Sequence, residues 1–452
     1  MKPTANDQTM TESRVPGDTF SSSLWETISA PAEVPVRLQD EQQAEVAIVG
    51  GGILGLSIAL HLAERGVSTA LLEAEKFGFG ASGRNTGFVV PSFIGGIGPR
   101  EVANLIGEKA GERLSRFVGA SGKELFDLVQ RLAIECSAEP NGWLQPAHNA
   151  TKMRMLEERV RQWQALDQPV ALLDRDEARR LTGSPQYLGV LIDRSGGQIN
   201  PLAFARGLAQ AASAAGARLY SGARVESCVD EGGKWILKTA WGSVRTEKVF
   251  FASNAMGGAL LPAVRKSIIA VQPYQVVTQP LDEQVRARIL PLRQPVADLH
   301  NHTFAVRWSP DNRLMTGGLG VFNSDAAVGA MATSFLDRLH KYLPGLPPLQ
   351  AAYAWRGAAA TTADFLPAVW NVGRNVYAPI GCNGRGVAVA TSLGRALAAF
   401  AQSGDPRDLP VRVGPPRPRP FHSILSTGPS LWLMWNQFRD WCDDRGNSNV
   451  SH

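Results

Sequence analysis

The chain has 452 residues, of which 44% are hydrophobic and 19% charged, and its formal net charge is +5. Such values fit an ordinary globular protein with core enough for two or three domains, and they exclude a fibrous or largely disordered chain. The positive excess is not gathered into a basic helix, and Arg412, Arg417 and Arg419 stand in a proline-rich tail, so nucleic acid is not an expected partner.

Cys136, Cys228, Cys382 and Cys442 lie far apart with no C-x-x-C, which suggests neither a metal site nor a disulfide framework and fits a reducing cytoplasm. The first residues carry Asp7, Glu12 and Asp18 and lack the apolar core of a secretory signal. Residues 1–44 are polar and proline-rich, with Trp25 as the one large anchor, and read as a flexible lead-in along the surface.

Residues 45–73, EVAIVGGGILGLSIALHLAERGVSTALLE, follow. Val46, Ala47, Ile48 and Val49 make a short buried strand that stops at three glycines. Gly50, Gly52 and Gly55 stand as G-x-G-x-x-G: the first permits a tight turn, the second a close approach to a pyrophosphate, the third close packing of helix on strand. Ile53 and Leu54 open a helix whose Leu56, Ala59, Leu60 and Ala63 recur at helical spacing, so its free N–H groups and positive dipole end face the phosphates. A second strand, 69–72, ends in Glu73, where a dinucleotide-binding unit places an acid for a ribose 2′-OH. An acid there argues against NADP. On this stretch alone, NAD and FAD remain equally open.

Residues 76–93, KFGFGASGRNTGFVVPSF, form a glycine-rich loop that lets backbone approach a flat ligand, with Ser82, Arg84 and Asn85 as its polar groups. Helical periodicity then dominates 101–166, and 174–181 reads as a short charged helix. After Gly196 and Gly197 come a helix at 202–215, strands at 217–220 and 223–228, a hairpin at 235–239 and 243–246, and an apolar strand at 248–252 that returns to the first sheet. Segments 268–278, 304–308 and 314–318 alternate apolar with polar residues, as in an antiparallel sheet with one solvated or ligand-facing side. A helix at 331–342 and a strand at 352–355 follow. The strand at 375–379 leads into a second glycine-rich turn, GCNGRG at 381–386, and an apolar helix at 387–401. That helix start either offers N–H groups to a partial negative charge on a cofactor ring or is a plain strand-to-helix turn. The segment SLWLMWNQFRDWC, 430–442, is expected to be a terminal helix docked on the body. The alternative is a membrane-interface contact, and membrane contact is not the expected reading.

The blocks VAIVGGGILGLSIALHLAERG, GASGRNTG, GGQINPLAFARGLAQAA and GCNGRGVAVATSLGRALA resemble, in order, those of the FAD-dependent amine and amino-acid oxidoreductases, a family that includes D-amino-acid oxidase, glycine oxidase and sarcosine oxidase. The similarity runs from about residue 40 to 422 and is greatest to the gamma-glutamylputrescine oxidase branch. The resemblance implies an α/β plus α+β fold: a Rossmann-like FAD-binding domain with a discontinuous antiparallel-sheet substrate domain. The expected division is a lead-in at 1–44, FAD-binding segments at 45–95, 191–265 and 356–405, a largely helical insertion at 96–190, the substrate domain at 266–355 and a tail at 406–452.

By the same resemblance, Gly50, Gly52 and Gly55 hold the pyrophosphate and Glu73 the adenosine ribose, while Ser82, Gly83, Arg84 and Asn85 lie along the flavin. Val225 offers its backbone to the adenine, and Gly384, Arg385, Gly386 and Val387 start the helix that points at the pyrimidine end of the ring. Sarcosine oxidase-like members attach FAD through a cysteine before the last glycine turn. Residues 357–362 contain none and Cys382 does not match, so non-covalent FAD is expected.

The expected chemistry is hydride transfer from a carbon beside a neutral amine to flavin N5, giving an imine that hydrolyses; the amine's lone pair drives the step, so no dedicated base is obligatory. Arg307 is the candidate for a substrate carboxylate, with surface exposure on the sheet's solvated side as the alternative. Tyr274, Gln275 and His302 are further candidates for polar contacts in the pocket. Oxygen or a quinone-type carrier serves as acceptor. The rival functions are a 2-hydroxy-acid or polyol dehydrogenase on the same scaffold and a non-catalytic flavin-bound subunit.

Overall fold

The computed structural model describes residues 22–31, 36–95, 97–258, 260–320, 327–380, 383–420 and 422. Strand Asp40–Val49 lies within a parallel array, flanked by Gly242–Phe251 and Thr69–Leu72, and beyond these by Val376–Ile380 and Arg218–Tyr220. Its side chains alternate: Val46 and Ile48 join the core shared with helices Ile53–Ala63, Pro201–Ala214 and Gly386–Ser403, and Ala47 joins the core on the other face. Burial on both faces explains the unbroken apolar run at 46–49.

Strand Gly242–Phe251 is one ten-residue element where the sequence predicts a hairpin arm and a separate strand. Only Glu247 separates the two expected strands, and the register with Asp40–Val49 runs on past it, while buried Thr246 donates its hydroxyl to the Glu45 carbonyl at 2.9 Å. The expected strand at 223–228 is not formed; pairing begins only at Ser227–Glu231. Instead Ala223 N donates to Glu73 O at 2.7 Å, so this extended segment crosses the end of the sheet and places Val225 there.

A second sheet has eight strands in the order Ala351–Arg356, Pro273–Thr278, Leu314–Leu319, Ala305–Trp308, Val296–Ala297, Trp143–Ala147, Gly189–Asp193 and Val170–Leu173. All of its pairings are antiparallel except that between Val296–Ala297 and Trp143–Ala147. Helices Pro99–Ile106, Glu108–Arg131, Ala150–Gln164 and Arg175–Thr182 account for the periodicity of 96–190. The same region also supplies three strands of this sheet, which periodicity did not reveal. Trp143–Ala147 is buried at every position and contains Pro146, so it shows neither alternation nor a typical interior-strand composition. Segment 268–278 divides into Ile269–Val271, which pairs with Ala359–Thr361, and Pro273–Thr278 in the larger sheet.

The lead-in is not confined to the surface. Ser23 precedes a short helix, Leu24–Ile28, that buries Leu24 and Trp25 completely against Leu202, Val277, Met315 and Trp355. The Trp25 indole also donates to the Asn85 carbonyl at 2.8 Å. Segment 430–442 lies outside the described residues. Among the described residues no helix is long and apolar enough to cross a membrane.

Trp25→Ala empties a fully packed site and removes that hydrogen bond, so a loss of about 3–5 kcal/mol is expected in equilibrium denaturation. A stability unchanged within error would show that residues 22–31 are not part of the core.

Candidate active site

One cavity of about 1450 Å³ is lined from both sheets. It exceeds the roughly 300–1,000 Å³ typical of a small-ligand site, leaving room for a dinucleotide and a substrate together.

At one end the chain turns out of strand Asp40–Val49 through Gly50, whose φ is +111°. A Cβ on Gly52 would stand 2.8 Å from Ser82 Oγ, so only glycine lets this backbone edge face the cavity. Ser82 Oγ accepts the Ile53 N–H at 2.9 Å. Glu73 spans the same turn, accepting from Gly51 N at 2.6 Å and from Glu75 N at 2.9 Å. Burial pushes the Glu73 carboxyl up from its ordinary value, against those two hydrogen bonds and Arg224, which favour the charged form. Gly55 does not line the cavity: its missing Cβ would fall 2.0 Å from the Gly50 carbonyl, so its role is helix-to-strand packing. Gly83 likewise packs on Gly78 and Leu202 outside the cavity.

Arg84 and Asn85 line the cavity's middle. Asn85 folds its own loop, donating to the carbonyls of Ala81 and Ser82 and accepting from Gly87 N at 2.7 Å. At the far side Gly384, with φ +78°, leads through Arg385 into helix Gly386–Ser403, whose first turn has no side-chain cap. Gly386 and Val387 line the cavity, so uncapped helix N–H groups lie at its wall. The Arg385 guanidinium donates to Phe93 O at 2.6 Å and lies over the Trp143 ring; burial, then repulsion from Arg159, pushes its pKa down to about 9.

The substrate-side candidates separate. Gln275 lines the cavity, whereas Tyr274, its neighbour on strand Pro273–Thr278, points to the other face and packs with Phe335 and Ala332. His302 lines the cavity and shares its Nε2 proton with the Leu319 carbonyl at 3.1 Å. Arg307 neither lines the cavity nor reaches the surface. It is wholly buried, donating to the carbonyls of Thr86, Ile199 and Trp308 beneath the 84–87 loop, and burial pushes its pKa down to about 9.

A polar group that the sequence did not disclose completes this wall. His300 donates from Nδ1 to Asp298 Oδ2 at 2.5 Å and stacks on His148 with ring centroids 3.6 Å apart. Asp298 Oδ1 accepts from Phe304 N at 2.8 Å and from His300 N at 3.2 Å, closing the loop between strands Val296–Ala297 and Ala305–Trp308. Burial alone would raise the Asp298 carboxyl, but His300, the Phe304 N–H and Arg338 outweigh it and hold the group below the usual carboxylate range. Lys152, from helix Ala150–Gln164, reaches the same wall within 3.5 Å of Asn301 Oδ1. The string DLHNH at 298–302 is the signal in the sequence, but it belongs to no periodic element, and of its histidines only His302 is among the candidates read from the sequence. Among the described residues no cluster of three or more His, Cys, Asp or Glu side chains has metal-binding geometry.

A glycine turn with open backbone, an acid at the next strand's end and an uncapped helix across one cavity fit a flavin dinucleotide, and they define a dinucleotide-dependent oxidoreductase. The family described as FAD dependent oxidoreductase (DAO) matches residues 45–400, and the chain belongs to it. FAD is therefore its cofactor. The chain is 32% identical over 367 residues to gamma-glutamylputrescine oxidoreductase of Escherichia coli K12, covering 80% of this chain and 84% of the relative. It is 26% identical over 330 residues to glycine oxidase of Geobacillus kaustophilus, covering 72% and 83%. Its fold matches L-proline dehydrogenase from P. horikoshii with a TM-score of 0.69 at 20% identity, covering 83% and 96% of the two chains. The fold also matches the G. kaustophilus glycine oxidase structure with a TM-score of 0.68 at 22% identity, covering 80% and 95%.

Asp298→Ala leaves the buried His300 and two backbone N–H groups without their acceptor. A loss of about 3–5 kcal/mol is expected in chemical denaturation, as for other broken buried pairs. Because the folded carboxyl is depressed, the stability it contributes is present above the unfolded value near pH 4 and is lost as pH falls through the folded value. The wild type should therefore show an acid-side stability loss that the variant lacks.

Proposed function

We propose that this protein oxidises the C–N bond of a small amine or amino acid, with FAD held non-covalently. The observation that carries the reading is the shared cavity: the dinucleotide turn, the uncapped helix and a wall of Gln275, His300 and His302 all face one space. The names of the relatives, gamma-glutamylputrescine oxidoreductase and glycine oxidase, support an amine substrate. No cysteine is found among the described cavity-lining residues, which supports non-covalent attachment. The isolated cysteines support a cytoplasmic site of action.

Bound FAD supplies a hydride acceptor. The protein's part is to hold and to exclude. The backbone at Gly50 and Gly52 would receive the pyrophosphate, Glu73 the adenosine ribose and the chain at Val225 the adenine. Arg84 and Asn85 would flank the ring, and the helix beginning at Gly386 would offer its positive end to negative charge that forms on the ring. The second sheet closes the opposite side, removing water from the reacting C–H bond and giving the amine polar partners.

The purified protein reconstituted with FAD should bleach anaerobically with at least one of glycine, L-proline and gamma-glutamylputrescine, and not with lactate, glycolate or glycerol 3-phosphate. Bleaching by the hydroxy compounds alone, or by none of these compounds with a partner protein co-purifying, would overturn the reading. Readmitting air, or adding a quinone analogue, then identifies the acceptor. Glu73→Ala should weaken FAD binding about 10- to 100-fold, the worth of a charged hydrogen bond, as measured by fluorescence titration of the apoprotein.

A further inference from the structure

Arg307 is spent beneath the 84–87 loop, and among the described residues no other arginine of the second sheet lines the cavity. A cation from another element does. Arg385 stands at the glycine turn before helix Gly386–Ser403, half-buried on the cavity wall. Its side chain reaches across to strand Trp143–Ala147, where the guanidinium lies over the Trp143 ring at 5.3 Å, and Nη1 donates to Phe93 O at 2.6 Å. A guanidinium carries five N–H donors. Nε and Nη2 make no hydrogen bond among the described residues.

The charge is uncompensated as well. Burial and repulsion from Arg159 act against it, and among the described residues no carboxylate acts for it. Arg159, 4% exposed, donates to Gln145 Oε1 and, at 2.5 Å, to Gly95 O, neutral groups whose residues line the cavity. The acid that acts on Arg159 is Glu101, which is exposed and accepts from Gly98 N at 2.8 Å, capping its own helix. Lys152, on the helix that carries Arg159, also lines the cavity. Asp298, the buried carboxylate of this wall, is held by His300 and by Phe304 N. A charge withdrawn from water is costly unless it is paired. For Arg385 the partner has to come from outside.

We propose that Arg385 binds the carboxylate of the substrate, so that the substrate is an amine bearing a carboxylate rather than a bare amine, an inference that rests on the amine-oxidising function above. The fork of Nε and Nη2 matches the two oxygens of a carboxylate, and a charge-assisted pair of this kind is strong inside a protein. Arg159 behind it adds to the positive potential of the same wall. Position favours substrate over cofactor as the owner of the anion. The guanidinium is turned toward Trp143 on the second sheet, whereas the turn at Gly50 and Gly52, which suits the pyrophosphate, belongs to the first. Arg385 also adjoins Gly386, so a carboxylate on the arginine leaves the amine-bearing carbon beside the helix start.

The test pairs each amine of the panel above with its carboxylate-free counterpart: glycine with methylamine, L-proline with pyrrolidine, gamma-glutamylputrescine with putrescine. The wild-type holoenzyme is expected to prefer the carboxylated member, read as the ratio of second-order rate constants for anaerobic bleaching. In Arg385→Gln that ratio should fall about 10- to 100-fold, and Arg385→Lys, which keeps the charge but not the fork, should restore part of it. Propionate, titrated by its effect on the bound flavin's absorbance, should bind the wild type about tenfold or more tighter than propionamide, and Arg385→Gln should lose that difference. A purely structural role would slow both members of a pair alike and leave propionate's advantage intact. A wild type that does not prefer the carboxylated amine, or a variant that retains FAD and the preference, overturns the inference alone. So does an unchanged propionate affinity with a shifted flavin potential, the result expected if Arg385 pairs with the ring. A wild-type flavin bleached by no amine overturns the function on which the inference rests. If neither variant retains FAD, a crystal structure of the wild-type holoenzyme with propionate decides: its carboxylate on the Arg385 guanidinium supports the proposal, and any other seat contradicts it.

Discussion

Helix Ile53–Ala63 packs directly on the turn that precedes it, so that a Cβ at Gly55 would lie 2.0 Å from the Gly50 carbonyl, the tightest such position among the described glycines. That contact sets the angle at which the helix leaves strand Asp40–Val49, and hence where its first N–H groups point. Ser82 and Glu73 both accept hydrogen bonds from this turn, and Ala223 N donates in its turn to the Glu73 carbonyl. A methyl group at Gly55 would move all of them together.

The second constraint joins the two sheets. The carbonyls of Arg84, Asn85 and Thr86, three consecutive residues of the loop beside the cavity, accept from Trp355 Nε1, Trp25 Nε1 and the Arg307 guanidinium respectively. Two of these donors come from the second sheet and one from the lead-in. The loop is thus fixed by large buried side chains from distant parts of the chain, and the two sides of the cavity are held in one frame. Arg307 belongs to this frame. Its guanidinium also lies over the Trp25 ring at 5.3 Å, so the arginine expected to meet substrate instead supports a loop that lines the cavity.

Legibility in the sequence followed the range of the interactions. The dinucleotide turn was readable because its requirements are local: strand, glycines at fixed spacing, helix and acid fall within residues 45–73. Helix Gly386–Ser403 was readable for the same reason. The strands Trp143–Ala147, Val170–Leu173 and Gly189–Asp193 were not, since each is short and owes its state to partners far along the chain. The substrate wall was hidden for a related cause. Alternation along Pro273–Thr278 pairs Tyr274 and Gln275 as opposite faces without telling which face is which. Packing of helix Val328–Tyr342 on the Tyr274 side decides it. Likewise His300 takes its place in the wall only when Asp298 and His148 are brought to it.

The central claim is that one cavity grips a flavin dinucleotide at both ends, the adenosine half at Gly50 to Glu73 and the ring at Gly386. Calorimetric titration of the apoprotein with FAD, FMN, ADP and NAD tests it most directly. The claim predicts one FAD per chain, bound far more tightly than either FMN or ADP, because each fragment engages only one of the two grips. Equal affinity for FAD and FMN, or tighter binding of NAD than of FAD, would contradict it.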